Sequence, residues 1–473
     1  MNSPRRSALK LGGAAGAALF LSACRPKPTG PAVGADGPFT DAALRLDLRH
    51  SMREGTDTFE LVRLFAQAKW GGRVDRLDEP PDWGDYRLSL HDPRAETLLF
   101  RTGFDSPLGA ALDAATTQLS LRVPMPRKAL RAVIEKRRAQ NTFSPVWNIS
   151  IDPAVTQIGP PASSITSRME PLLASGPAAS KVDIVLMAEG YAHTEYGKFV
   201  ADALRVMGYL FSVQPFSQRM RDFNVYSVFV PSPQSGVADR HLRVQKESAF
   251  GSTYLSGTAE RTLAVMNNAA LHDAASVTPY DFTLVLANAR RYGGSAHFGG
   301  PAVVAVDSAA AKYLTLHEFA HTFAGLAEEY YLPAAEGPVY RGNMQPWNPN
   351  VTLAAGAPKW KDASGAEPRL AGWNKVEYDK RFVEYVGRYE ALRSKGAGEA
   401  AIEKLMLDER ERLGAILRRS GNPRHVGLFE GAHGYSQGVY RSEVDCIMFS
   451  LQSEYFCSAC AAAIDRMIDY HCK

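Results

Sequence analysis

The 473-residue sequence predicts an α+β protein in two parts, an N-terminal β-sandwich domain and then an α/β domain organised around one helix that carries two histidines. Three observations predict it. Short runs that alternate apolar with polar residues fill the stretch from 39 to 155; continuous apolar runs separated by helical segments follow after 181; and a turn-rich, Pro/Gly/Ser-rich stretch, 156 to 180, lies between them.

The chain opens on an address. Arg5, Arg6 and Lys10 form a basic start, Leu11 to Leu21 an apolar stretch too short to span a bilayer, and Leu21, Ser22, Ala23 and Cys24 close it like a bacterial lipobox. The paired arginines resemble a twin-arginine export signal. Residues 1–23 are therefore expected to be a removed signal peptide and Cys24 the lipid-bearing residue that gives membrane association. Residues 24–38 would form a flexible tether, and the protein would be an exported lipoprotein of the cell envelope. Without the three positive side chains of residues 1–23, the formal net charge of +4 falls to +1, so nucleic-acid binding has no support in composition. No later segment is apolar enough to cross a membrane.

In the first domain, Leu44 to Leu48, Tyr86 to Leu90, Thr97 to Arg101, Gln118 to Val123 and Val146 to Ile151 read as strands of a half-buried sheet pair. They hold no metal-ligand cluster and no nucleophile constellation, which makes this part an accessory or substrate-positioning module. In the second, residues 181–473, the runs Val182 to Met187, Asn224 to Val230, Phe282 to Leu286 and Ala302 to Val306 read as buried strands. The glycine pairs between Tyr292 and Gly300 could form a rim that substrate meets, and a sheet edge there could hold extended peptide by strand addition. His297 reads as a surface or core histidine rather than a ligand.

Residues 309–324 read as helix, with Tyr313, Leu316, Ala320 and Phe323 at the spacing of one buried face. Within it, His317 and His321 are four residues apart, so both imidazoles leave one face a turn apart and can close on one metal ion, expected to be Zn2+. Glu318, beside that face, can take a proton from water on the metal and is the expected catalytic general base. Gly325 can end the helix in a left-handed turn and bring Glu328 and Glu329 back toward the histidines. Counting three residues from the glycine favours Glu328 as the third ligand, with Glu329 as the alternative; the other carboxylate would then orient a histidine. Three protein ligands and one open position make a catalytic rather than a structural zinc.

Residues 376–418 interleave charges around Phe382, Tyr385, Leu392 and Leu405 and read as a solvated helical pair. Cys446, Cys457, Cys460 and Cys472 fall at the end of the chain. In an oxidising compartment they read as two disulfides with three possible pairings, the alternative being a second zinc site of Cys457 and Cys460 with His471 or Cys472.

The chain resembles the IgA-peptidase family of bacterial zinc metallopeptidases. The likeness rests on Pro145 to Asp152, Met187 to Tyr191, Phe216 to Asn224, His317 to Tyr331, Gly427 to Ala432, Gly438 to Arg441 and Cys446 to Met448. It implies the family's N-terminal β domain, a metzincin-like α/β zinc peptidase catalytic domain, and endopeptidase activity on a protein or peptide substrate. His317 and His321 match the family's zinc ligands and Glu318 its catalytic glutamate, while Glu328 stands where the family usually has aspartate. Met448 resembles the methionine that lies beneath the metal in metzincins, and Tyr440 and Arg441, just before it, are candidates for stabilising the oxyanion. The expected function is a zinc-dependent endopeptidase of extracytoplasmic proteins. The alternative is a surface-anchored ligand-binding lipoprotein with structural or no zinc.

Overall fold

A computed structural model describes residues 33–34, 37–108, 116–160, 167–333, 338–353, 359–361 and 367–472. The expected signal peptide, Cys24 with its expected lipid, most of the expected tether and part of the expected linker lie outside the described residues.

The N-terminal part holds two antiparallel sheets. Strands β1 (Phe39–Arg53), β2 (Thr56–Gln67) and β5 (Thr116–Pro126) form one, in the order β2-β1-β5. Strands β3 (Tyr86–His91), β4 (Leu98–Phe104), β6 (Leu130–Arg137) and β7 (Phe143–Ile151) form the other, in the order β4-β3-β6-β7. Period-two alternation sends Leu44, Leu46 and Leu48 of β1 and Leu119, Leu121 and Val123 of β5 inward. There they meet Leu88 and Leu90 of β3 and Ala132 and Ile134 of β6 in one cluster.

The second part is built on a six-stranded sheet. Its strands are β8 (Arg168–Leu173), β9 (Val182–Glu189), β10 (Phe223–Phe229), β11 (Phe282–Ala287), β12 (Gly294–Ser295) and β13 (Ala302–Ala305), in the order β12-β13-β11-β9-β10-β8. The inner four run parallel, and both edges are antiparallel. Every residue of β9, β11 and β13 is buried, as the continuous apolar runs require of strands covered on both faces. Helix α1 (Tyr196–Leu210) buries Phe199, Ala203, Val206 and Leu210, a stripe at helical spacing, while α2 (Asn268–Ala275) meets β5 of the first part.

Helix α3 (Ala311–Ala324) packs on β13 and is buried almost throughout. An aromatic cluster seats it: the Phe319 and Phe323 rings lie 5.4 Å apart, Phe282 lies 5.0 Å from Phe323, and Phe216 lies 5.8 Å from both helix rings. Each such pair adds about 0.5–1.5 kcal/mol beyond its buried area. Of the face expected to be buried, Leu316, Ala320 and Phe323 are in the core. Tyr313 is not part of it, because its ring turns to the cleft and stacks on His317 at 4.9 Å.

Two 20-residue helices follow, α4 (Lys375–Ser394) and α5 (Glu399–Arg418). They are more than a solvated pair. α5 buries Ile402, Leu405, Met406, Leu413, Ile416 and Leu417, and the buried Glu409 carboxylate binds Arg381 and Arg388 across the hairpin and Arg412 on its own helix. A hairpin, β14 (Leu428–Ala432) and β15 (Tyr435–Arg441), and a final helix, α6 (Ser458–Cys472), complete the chain. Among the described residues no helix is long and apolar enough to cross a membrane.

Candidate active site

A cleft of about 980 Å3 opens over α3. Its walls come from both parts of the molecule: Asp105 to Leu108 and Leu119 to Leu121 from the first, the edge strand β12, and Phe382, Tyr385 and Met406 of α4 and α5.

On the floor, His317 and His321 face each other with their Nε2 atoms 3.2 Å apart. The His317 Nδ1 lies 3.1 Å from the carbonyl of Ile447 and the His321 Nδ1 2.6 Å from that of Leu326. A carbonyl can only accept, so each Nδ1 donates outward and each ring turns its Nε2 inward. Glu328 completes the group, one oxygen 3.1 Å from the His317 Nε2 and the other 3.2 Å from that of His321. Three ligand atoms within 4.8 Å of one another suit a divalent cation.

Gly325 makes this return possible. It ends α3 at φ 58°, the left-handed region, with its N–H donating to the His321 carbonyl. The returning segment is then held from outside. The Asn348 amide donates to the Gly325 carbonyl at 2.8 Å, Asn350 both accepts from the Ala327 N–H and donates to the Ala327 carbonyl, and the His433 N–H donates to the Glu328 carbonyl.

Glu328 and Glu329 part company here. Glu329 is wholly buried and faces away from the histidines, its Oε1 3.2 Å from the thiols of Cys457 and Cys460 and its N–H donating to the Met448 carbonyl. It orients neither imidazole. The Cys446 to Met448 turn supports the site through backbone, since Ile447 receives the His317 proton and Met448 that of Glu329.

Glu318 lies against Gly294 of the edge strand, where an added Cβ would come within 2.6 Å of its Oε1. Burial raises its pKa, with the Glu328 charge acting in the same direction and the two imidazoles against it. Burial also works against a His321 imidazolium, but the carboxylates of Glu328 and Glu318 outweigh it and raise that pKa to about 9. Glu328 is held well below the usual carboxylate range, because the two imidazoles overcome its burial. This balance of charges is one that a cation relieves.

Three expectations need correction. Tyr440 and Arg441 are remote from the cleft floor: Tyr440 bonds Glu430, and the fully buried Arg441 guanidinium donates to the carbonyls of Glu430, Gly431 and Val444. The edge at Gly294 is already paired on its outer side, by Arg261 and Thr262, so it offers no open ladder to peptide. The four cysteines form no disulfide; Cys446, Cys457 and Cys460 meet, while Cys472 sits by the Asp222 carbonyl and His471 by Asp281 at the far end of α6. His297 is half-buried on the cleft wall, outside the ligand group, and burial lowers its pKa to about 4.

Sequence reasoning missed Asn348, Asn350 and His433. The two asparagines flanking Pro349 are a turn signal, but nothing local says which loop they hold.

A helix presenting paired imidazoles, a returning carboxylate and a buried glutamate over an open cleft is the arrangement of a hydrolytic enzyme. Residues 171–468 match the family described as IgA Peptidase M64, and residues 35–148 match the Peptidase M64 N-terminus. The chain belongs to the IgA peptidase M64 family and is a peptidase with that family's N-terminal β domain. No curated protein matches it.

Proposed function

We propose that this protein is a zinc-dependent endopeptidase with a metzincin-like catalytic domain over residues 181–473, joined by a 156–180 linker to an accessory domain at 39–155. His317, His321 and Glu328 hold the metal, and the observation that carries this reading is the convergence of their donor atoms in an open cleft beside Glu318. A bound zinc supplies a Lewis acid that acidifies water and polarises a peptide carbonyl. Glu318, buried and raised in basicity, accepts the proton of the attacking water and delivers it to the departing amine nitrogen. Tyr330, next to Glu328 and half exposed in the cleft, is placed to donate to the developing oxyanion.

The substrate is a protein or peptide outside the cytoplasm. The lipobox-like Leu21 to Cys24 and the paired arginines support export and lipid attachment at Cys24. A cleft of this size takes an extended segment of chain rather than a single residue.

The decisive experiment is Glu318→Gln. The variant is expected to keep its metal by elemental analysis and to lose hydrolysis of an unfolded protein such as casein by about 100-fold or more. Undiminished hydrolysis would remove Glu318 from the mechanism, and activity that survives metal chelation would remove the metal.

A further inference from the structure

Beneath the floor of the cleft lies a second group of donors, closed where the first is open. We propose that Cys446, Cys457, Cys460 and Glu329 form a structural metal centre that binds one Zn2+ of its own and braces the segments carrying the cleft ligands. The proposal does not depend on the first site being catalytic.

All four side chains are fully buried, and their ligand atoms lie within 4.8 Å of one another. The Cys446 and Cys460 sulfurs are 3.7 Å apart, and Glu329 Oε1 is 3.2 Å from both Cys457 and Cys460. Zinc bound at ~2.3 Å by thiolates in a tetrahedron places neighbouring sulfurs roughly 3.8 Å apart. A disulfide needs ~2.05 Å and would use only two of the three thiols.

Glu329 is the second observation. Its Oε2 is buried with no hydrogen-bond partner, and its Oε1 faces two thiols and the amide of Asn350. The Arg441 guanidinium does not pair with it, because its bonds go to three backbone carbonyls. A carboxylate taken out of water with half its acceptors unused is strongly disfavoured. A cation shared with three sulfurs removes that cost.

The backbone around the cluster is arranged for thiolates. The N–H groups of Met448 and Cys457 point to the Cys446 sulfur at 3.4 and 3.2 Å, and that of Cys460 to the Cys457 sulfur at 3.5 Å. Cys457 and Cys460 open helix α6, whose N-terminal N–H groups favour negative charge. With the thiol protons released to solvent on loading, three thiolates, one carboxylate and Zn2+ leave a net charge of −2, which these donors and the buried Arg441 offset. Soft sulfur donors select zinc over calcium or magnesium.

The role follows from what lies beside each ligand. Glu329 adjoins Glu328, and Cys446 adjoins Ile447, whose carbonyl receives the His317 proton. A metal that ties the 328–331 segment to the 446–448 turn and to α6 thereby positions a carboxylate and an imidazole of the upper site.

The test uses the full-length protein, stripped of metal under reducing conditions and reloaded with zinc or with cobalt. Wild type is expected to hold two equivalents. His317→Ala/His321→Ala should retain one, with thiolate-to-cobalt charge-transfer absorption in the near ultraviolet. Cys457→Ser/Cys460→Ser should lose that absorption and melt at lower temperature. Should the cysteine variant fail to fold, the histidine variant still decides. Absence of thiolate absorption in the histidine variant, or alkylation showing a disulfide among the three cysteines in native wild type, would overturn the proposal. A single equivalent lost only from the histidine variant would overturn it too, while leaving the upper site intact.

Discussion

Glu328 carries a burden that its neighbours cannot share. The two imidazoles are held by carbonyls at Nδ1, so their Nε2 atoms face the site, and the carboxylate is the one anionic group among the three ligands. Glu328→Ala is therefore expected to weaken metal binding by more than the ~10–100-fold that loss of an outer supporting group costs. Isothermal titration with zinc on the chelated protein measures this, and unchanged affinity would show that two histidines suffice. The histidines and Glu318 are legible from spacing alone, because four residues make one helical turn. Glu328 and Glu329 are adjacent and chemically alike, so choosing between them needs the direction of the chain after Gly325. Asn350 and His433 impose that direction from 23 and 105 residues beyond the positions they grip, a distance across which no local pattern reaches.

At the scale of elements, the short strand β12 and helix α3 meet so closely that a hydrogen is the only side chain that fits between them. A Cβ on Gly294 would lie 2.6 Å from Glu318 Oε1 and 3.0 Å from its Cδ, which forces the carboxylate to move. Gly294 has no left-handed φ to defend, so alanine there strains no backbone. Gly294→Ala is thus expected to keep its melting temperature and its metal while kcat falls by about 10–100-fold, since a misplacement of about 1 Å can cost that much. An unaltered kcat would mean that the Glu318 position is not critical. The glycine pairs were readable as a rim, but their reason was not. Turn chemistry and close approach leave the same letter in a sequence. The α4 and α5 hairpin shows the opposite difficulty. Its charges dominate the pattern, yet Glu409 is buried precisely because three arginines surround it, and Phe382, Tyr385 and Met406 form a cleft wall that composition reads as solvated surface.

Across the whole molecule, the N-terminal part meets the second part through an apolar contact, Trp83 with its ring 6.2 Å from that of Phe298, and through a buried polar seam. Arg45, almost completely buried in β1, pairs with Asp47 of its own strand and with Asp273 of α2, and Arg63 joins both acids. The Arg122 guanidinium of β5 lies 3.8 Å over the Tyr280 ring. Alternation in β1 reads Arg45 and Asp47 as outward residues, as they are for their own domain; that a second domain covers them cannot be read from either half alone. His272 sits in this seam with its Nδ1 2.7 Å from the Tyr280 hydroxyl. Burial first, then the Arg45 and Arg122 charges, lower its pKa to about 3, against the pull of Asp47. The folded protein keeps this histidine neutral, whereas the unfolded chain protonates it near pH 6.5, so its contribution is whole above that pH and declines as the pH falls toward 3. Between about pH 7.5 and about pH 5.5 the loss amounts to ~1.4 kcal/mol. His272→Asn keeps an acceptor for Tyr280 without the titrating ring. Denaturant unfolding at the two pH values is expected to show wild type losing about that much more stability than the variant. Equal losses would remove His272 as the source of the seam's acid sensitivity.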